Sequence, residues 1–135
     1  MRVILVIVFC VACTGLRAAQ ADTLTDVFRG AIATKGCSGV KVNLQLRHER
    51  YADDGVYVLT EQYCGYPNAN VYRGNWTVLR GDAANENATV IELWDEVTNA
   101  PIRHYLRLKD GAVKVLDDKL RVMKGKGNYV LRRAK

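Results

Sequence analysis

Strict alternation of apolar and polar residues is what most narrows the folds open to this chain. Val40, Val42, Leu44 and Leu46 alternate with Lys41, Asn43, Gln45 and Arg47. Successive side chains of a strand point to opposite sides, so a period of two reads as a β-strand with one face in a core and one in water. Asp53-Asp54-Gly55 then reads as a turn, because Gly accepts positive φ and Asp side chains bond to nearby backbone. Val56 to Tyr63 follows as the return strand of an antiparallel hairpin.

The same alternation of strand and turn continues to the end of the chain. Gly65-Tyr66-Pro67-Asn68 is a turn, Val71 to Leu79 a strand, Gly81 to Asn87 a loop and Thr89 to Trp94 a strand. Asn99-Ala100-Pro101 breaks that strand, Ile102 to Leu108 is the next, and Asp110-Gly111 turns it. Val113 to Leu116 and Leu120 to Met123 read as a short hairpin around Asp117-Asp118, and Asn128 to Arg132 closes the chain. The beginning is ambiguous. Leu24, Val27, Phe28 and Ile32 share a helix face behind the capping-box-like Thr23 to Asp26, while Phe28, Gly30 and Ile32 alternate as a strand. Eight or nine short strands with evenly spaced turns predict an all-β fold, a small antiparallel meander. Closing it into a barrel of about eight strands removes both exposed edges, and such an interior is filled by side chains or holds one small ligand.

The first 21 residues stand apart. One basic residue, Arg2, precedes an apolar run too short to span a bilayer as a helix, and Ala19-Gln20-Ala21 offers small residues at a cleavage point. This is the layout of a secretory signal peptide over residues 1–21, leaving one domain, 22–135, that is secreted or periplasmic. A competing layout has Cys13, after Val11-Ala12, as a lipidation site that anchors the domain. Without Arg2 and Arg17 the remaining 18 basic and 14 acidic residues leave a net charge of +4. The basic residues gather only near the C-terminus, as Lys119, Arg121, Lys124, Lys126, Arg132, Arg133 and Lys135. That group reads as a solvated face, or as a weak contact with an anionic membrane surface or an acidic partner. The absence of a nucleic-acid-binding motif, in an exported chain, argues against a nucleic-acid partner.

Maturation leaves Cys37 and Cys64, and an even count in a small exported domain points to one disulfide. A hairpin centred near residues 51–52 brings both cysteines to its open end. Closing the 26 residues between them is worth about 3–4 kcal/mol in the chain-entropy model. That is a large share of the roughly 5–15 kcal/mol that holds a whole domain.

The order of these pieces resembles the N-terminal domain of the NlpE family, bacterial envelope lipoproteins linked to copper resistance and surface sensing. The resemblance runs from about Phe28 to Arg133. It rests on Phe28-Arg29-Gly30-Ala31-Ile32, the corner Cys37-Ser38-Gly39-Val40, the turn Asp54-Gly55-Val56-Tyr57, Gly74-Asn75-Trp76-Thr77-Val78, Val90-Ile91-Glu92-Leu93 and Asn128-Tyr129-Val130-Leu131. It implies a lipocalin-like barrel and favours a strand over residues 26–33. It also implies a Cys-x-x-Cys corner, and here the chain departs: Cys37 matches the second cysteine, and Thr34 stands in place of the first. Paired thiolates clamp a soft ion such as Cu(I), whereas one thiol and one hydroxyl do not do so comparably.

The remaining candidates are few. His48 and His104 lie in polar settings without ligand spacing and read as solvent-facing; no metal or cofactor motif is present. Trp76, Tyr57 and Tyr105 are the aromatics placed to line a ligand cavity, with core packing as the plainer role. Tyr72, Tyr129 and Trp94 carry the same ambiguity. No Gly-x-Ser-x-Gly occurs, and Ser38 is the sole serine, so no hydrolase triad can be built. Asn75 and Asn87 begin glycosylation sequons, relevant only in a eukaryotic source. The expected protein is an exported, non-enzymatic barrel of the cell envelope that recognises an envelope protein or a small apolar ligand. A link to envelope or copper stress follows from the resemblance. The alternatives are a lipocalin-type carrier and metal handling through Cys37 with His or Met.

Overall fold

The computed structural model describes residues 22–135. The proposed leader, with Cys13, lies outside the described residues. Among these residues eight strands make up the regular structure: β1 (Thr23–Thr34), β2 (Cys37–Glu49), β3 (Asp54–Gln62), β4 (Asn70–Arg80), β5 (Thr89–Asp95), β6 (Pro101–Arg107), β7 (Val113–Leu116) and β8 (Val130–Arg133). Each pairs antiparallel with its neighbour in sequence, and β8 returns to β1, so the meander closes as a barrel. The strand reading at the beginning holds, and β1 runs longer than residues 26–33 at both ends.

The period-two pattern maps directly onto the barrel wall. Val40, Val42, Leu44 and Leu46 of β2 are all buried, while Lys41 and Arg47 face water. Phe28 and Ile32 of β1, Tyr57 and Leu59 of β3, Trp76 of β4, Tyr105 of β6 and Leu131 of β8 join the same interior cluster. A fully buried leucine of this kind contributes about 1.5–3 kcal/mol through water exclusion. β5 differs from the other strands. Ile91 and Leu93 pair with Val78 and Trp76 toward the lumen, yet Val90 on the outward face is equally inaccessible. Outside the barrel the β4–β5 and β7–β8 loops meet there, with the Ala83 N–H donating to Leu120 O at 3.0 Å, and the outward Leu116 is buried too.

The seam that closes the barrel is short. β8 makes two residue pairs with β1, Phe28↔Arg133 and Arg29↔Arg132, and two with β7. Backbone bonds from Ala33 N–H to Asn128 O (2.9 Å) and from Ala134 N–H to Val27 O (2.7 Å) extend it. Asn128 also donates its side-chain amide to Ala31 O at 2.9 Å. Gly30 makes this approach possible, since a Cβ there would sit 3.0 Å from Val130 O.

Two turn assignments need correction. The β2–β3 reversal lies at residues 50–53, with Tyr51 at φ 65°, and Asp54 and Gly55 already belong to β3. Gly55 serves a different purpose: a Cβ on it would lie 1.8 Å from Arg47 O and 2.9 Å from Trp76 Nε1. The bare backbone lets the Trp76 indole cross β3 and donate to Arg47 O at 3.1 Å. The expected hairpin of Leu120 to Met123 with β7 is also absent as a pair of strands. Only a single bridge, Leu116↔Val122, links them, and β7 takes β8 as its ladder partner. Asp117 wins that segment for a turn, accepting from the backbone N–H groups of Lys119 and Arg121 at 2.9 Å each, with Leu120 at φ 59°.

Candidate functional site

Because neighbouring strands run antiparallel, the connections alternate between the two ends of the barrel, and the ends differ in kind. One end is stapled. The sulfurs of Cys37 and Cys64 are bonded, with Cα atoms 5.6 Å apart, so the β1–β2 corner is fixed to the turn after β3. Cys37 is buried and Cys64 exposed. A bonded sulfur offers no thiolate to a metal, and among the described residues no group of three or more His, Cys, Asp or Glu side chains is placed to hold an ion.

Just inside this end lies a buried ion pair that the sequence did not disclose. Glu61 points inward from β3 and Arg103 from β6, with Nη2–Oε1 at 2.6 Å and Nε–Oε2 at 3.3 Å. Burial pulls the Arg103 guanidinium down, but the hydrogen bonds and charge of Glu61 outweigh it and hold the group above its ordinary value. The guanidinium also sits 5.4 Å from the centre of the Tyr72 ring. Burial, followed by the charge of Glu61, pushes the Tyr63 and Tyr105 phenols up. A small cavity of ≈ 120 Å³ remains beside the pair, lined by Ile32, Val40, Val42, Tyr63, Tyr105 and Val115 among others.

The other end is open. A concavity of ≈ 780 Å³ lies between the start of β1, the β2–β3 loop, the β6–β7 loop and the end of β8. Its apolar lining includes Leu24, Phe28, Leu46 and Trp76, and its polar lining includes Asp26, His48, Arg50, Asp53, Arg107 and Arg133. Small-molecule sites span roughly 300–1,000 Å³, so the space is of ligand size. Alternation continues to the rim: Leu24 and Asp26 follow the inward file of Phe28, His48 that of Leu46, Arg107 that of Tyr105 and Arg133 that of Leu131.

A charge network crosses the closing seam at this mouth. His48 Nε2 lies 2.9 Å from Asp26 Oδ2, and Arg133 donates to Asp26 Oδ1. His48 Nδ1 is 2.8 Å from Glu49 O, and both partners of the ring are acceptors. The edge of the imidazole meets Trp76 with ring centres 5.8 Å apart. His48 and His104 are therefore not solvent-facing as expected. Their side chains are 13% and 12% exposed, and each is held by a carboxylate, Asp26 or Glu92. Glu92 sits on the outer wall, accepting from His104 at 2.8 Å and from the Trp94 indole at 2.5 Å.

The aromatics singled out from the sequence separate. Trp76 is 3% exposed in the core and reaches the floor of the mouth. Tyr57 and Tyr105 are each 1% exposed in the packed interior, and Tyr105 borders the smaller cavity. Of the C-terminal basic group, Arg121 pairs with Asp117, Arg132 with Asp110 and Arg133 with Asp26. The Glu61–Arg103 and Asp26–His48–Arg133 contacts were missed because their partners lie 42, 22 and 107 residues apart. A carboxylate at an inward position of an alternating strand, as at Glu61, was the available signal.

A closed eight-strand meander with one stapled and one open end defines a small antiparallel β-barrel, and among the described residues no helix is long and apolar enough to cross a membrane. The family model of the NlpE N-terminal domain matches residues 28–126, and the chain belongs to that family. The match extends from the inward Phe28 of β1 into the β7–β8 loop, stopping short of β8. Comparison with curated proteins finds no match, and comparison with solved structures finds none.

Proposed function

We propose that this domain is a non-enzymatic recognition module of the cell envelope and that its binding end is the open mouth, which takes a small ligand with an apolar face. The observation that carries the reading is the contrast between the two ends. One is closed by the Cys37–Cys64 bond and the Glu61–Arg103 pair, and the other is a ligand-sized hollow floored by Phe28, Leu46 and Trp76. A rigid sheet with a preformed hollow needs little ordering on binding, which is the usual economy of small-ligand sites. Export places the module where a disulfide persists. Copper handling through Cys37 finds no support, since its sulfur is bonded and, among the described residues, no group of three or more His, Cys, Asp or Glu side chains is placed to hold an ion.

Titration of the ¹⁵N-labelled domain with the neutral dye N-phenyl-1-naphthylamine tests the reading. The expected result is saturable amide shifts confined to residues 24–28, 46–53, 76 and 107–111. Shifts confined to the stapled end, or no saturable shifts, overturn it.

A further inference from the structure

We propose that the mouth selects an anionic amphiphile, a single acidic head on a short apolar body, and that Arg107 is the residue that reads the head. This rests on the mouth being the binding end. Three arginines line that hollow, and they are not equivalent. Arg133 is engaged by Asp26, which His48 also holds. Arg50 lies over the ring of Tyr51 at 6.0 Å, outside the strands. Arg107 continues the lumen-facing file of Arg103 and Tyr105 on β6 and lines the hollow, and among the described residues no carboxylate lies within 4.0 Å of it.

The other inward arginine of β6, Arg103, has a dedicated carboxylate, so the absence of one at Arg107 is a distinction between two positions of the same file. An inward cation without an internal acid partner, placed above an apolar floor, is complementary to a ligand that brings its own negative charge. Around it the mouth carries Arg50, Arg107 and Arg133 against Asp26 and Asp53, a surplus of positive charge. The planar guanidinium offers paired donors matched to a carboxylate or phosphate.

The floor sets the length of the apolar part. Leu46 is 1% exposed, Phe28 5% and Trp76 3%, and directly beneath them Leu44 and Leu59 are fully buried. Leu44, Leu59 and the other packed side chains separate the mouth from the small cavity beside Glu61 and Arg103, so a long chain cannot thread the barrel. A body of modest length lies against Phe28, Leu46 and the Trp76 edge while its head stays at the rim.

Binding of decanoate, decyl phosphate and decanol to the intact disulfide-bonded protein, read by tryptophan fluorescence and calorimetry, provides the test. Both acids are expected to bind at least about tenfold more tightly than the alcohol, the ratio that one charge-assisted contact supplies. Arg107→Gln closes that gap and leaves decanol within about twofold, Arg107→Lys restores part of it, and Arg73→Gln, on the outer wall, leaves it intact. Preference for decanoate identifies a free fatty-acid type of head and preference for decyl phosphate a phospholipid type; either supports the inference. Equal binding of alcohol and acids, an unchanged gap in Arg107→Gln, or an equal loss in Arg73→Gln overturns it while leaving the mouth as binding end. No binding of any of the three overturns both. Thermal melts of each variant confirm that the barrel is intact, and the lysine variant carries the test if the glutamine variant fails to fold.

Discussion

The Glu61–Arg103 pair allows a worked prediction about how the lumen is held. Its two side chains are 8% and 29% exposed, so Glu61 is sealed and Arg103 retains some water. Removing the arginine strands a buried carboxylate, and Arg103→Met is expected to destabilise by about 3–5 kcal/mol. Removing the acid strands a group that keeps a wet edge and the face of Tyr72, so Glu61→Gln is expected to be milder, about 1–3 kcal/mol. Replacing both by apolar residues of similar size removes the desolvation penalty together with the attraction. The double variant Glu61→Leu with Arg103→Met is expected within about 1 kcal/mol of the parent, or above it. Urea unfolding of the oxidised protein, with equal slopes as the check that the unfolded state is unchanged, reads all of these. A cost below about 1 kcal/mol for Arg103→Met, or costs of Glu61→Leu and Arg103→Met alone that sum to that of the double variant within about 0.5 kcal/mol, would refute the reasoning, because the pair would then be uncoupled.

Gly55→Ala is expected to lower the melting temperature strongly, since the new methyl would press on Arg47 O and the Trp76 indole, whereas Gly39→Ala meets only Ala31 Cβ at 3.8 Å and is expected to be tolerated; calorimetry compares them, and equal melting points would remove the close-approach role assigned to Gly55. Tyr57 is buried with no protein partner for its hydroxyl, so Tyr57→Phe is expected to stabilise by about 1 kcal/mol. Burial, followed by the charge of Asp95, pushes that phenol up from 10.0 to about 12. The unfolded phenol ionises first while the buried one stays neutral, so the parent protein loses stability as pH rises from 10 to about 12. Tyr57→Phe removes that part of the alkaline decline in stability, and an unchanged pH profile would count against the assignment.

The barrel was legible in the sequence wherever one face of a strand is wet. β2 shows this best, because each polar residue between Val40 and Leu46 marks the outer wall. The closed topology also followed, since consecutive strands with short turns have nearest neighbours to pair with. Legibility failed where a residue answers to a distant partner. Gly55 looked like a turn residue but is glycine because Trp76, from the next strand, passes over it to Arg47. Leu120 to Met123 shows alternation too brief to define a strand, and the side chain of Asp117 settles it as a turn. The mouth was half visible: Trp76 was singled out, but Arg107 looked like any surface cation until β6 was seen to bring it to the inward side. The histidines were misjudged for the same reason, as Asp26 and Glu92 reach them only across strands.

The brief junction between β1 and β8 has a consequence for how the molecule comes apart. With only four residues in its last strand, the cylinder has a natural line of parting, and the amides of residues 130–133 should exchange with solvent well before those of β2 or β5. Detaching that strand leaves two raw margins at once, one on β1 and one on β7, each able to pair with another chain. The salt contact from Arg133 to Asp26 acts as a clasp on this line, so a protein trimmed after Leu131 should be the form most prone to self-association.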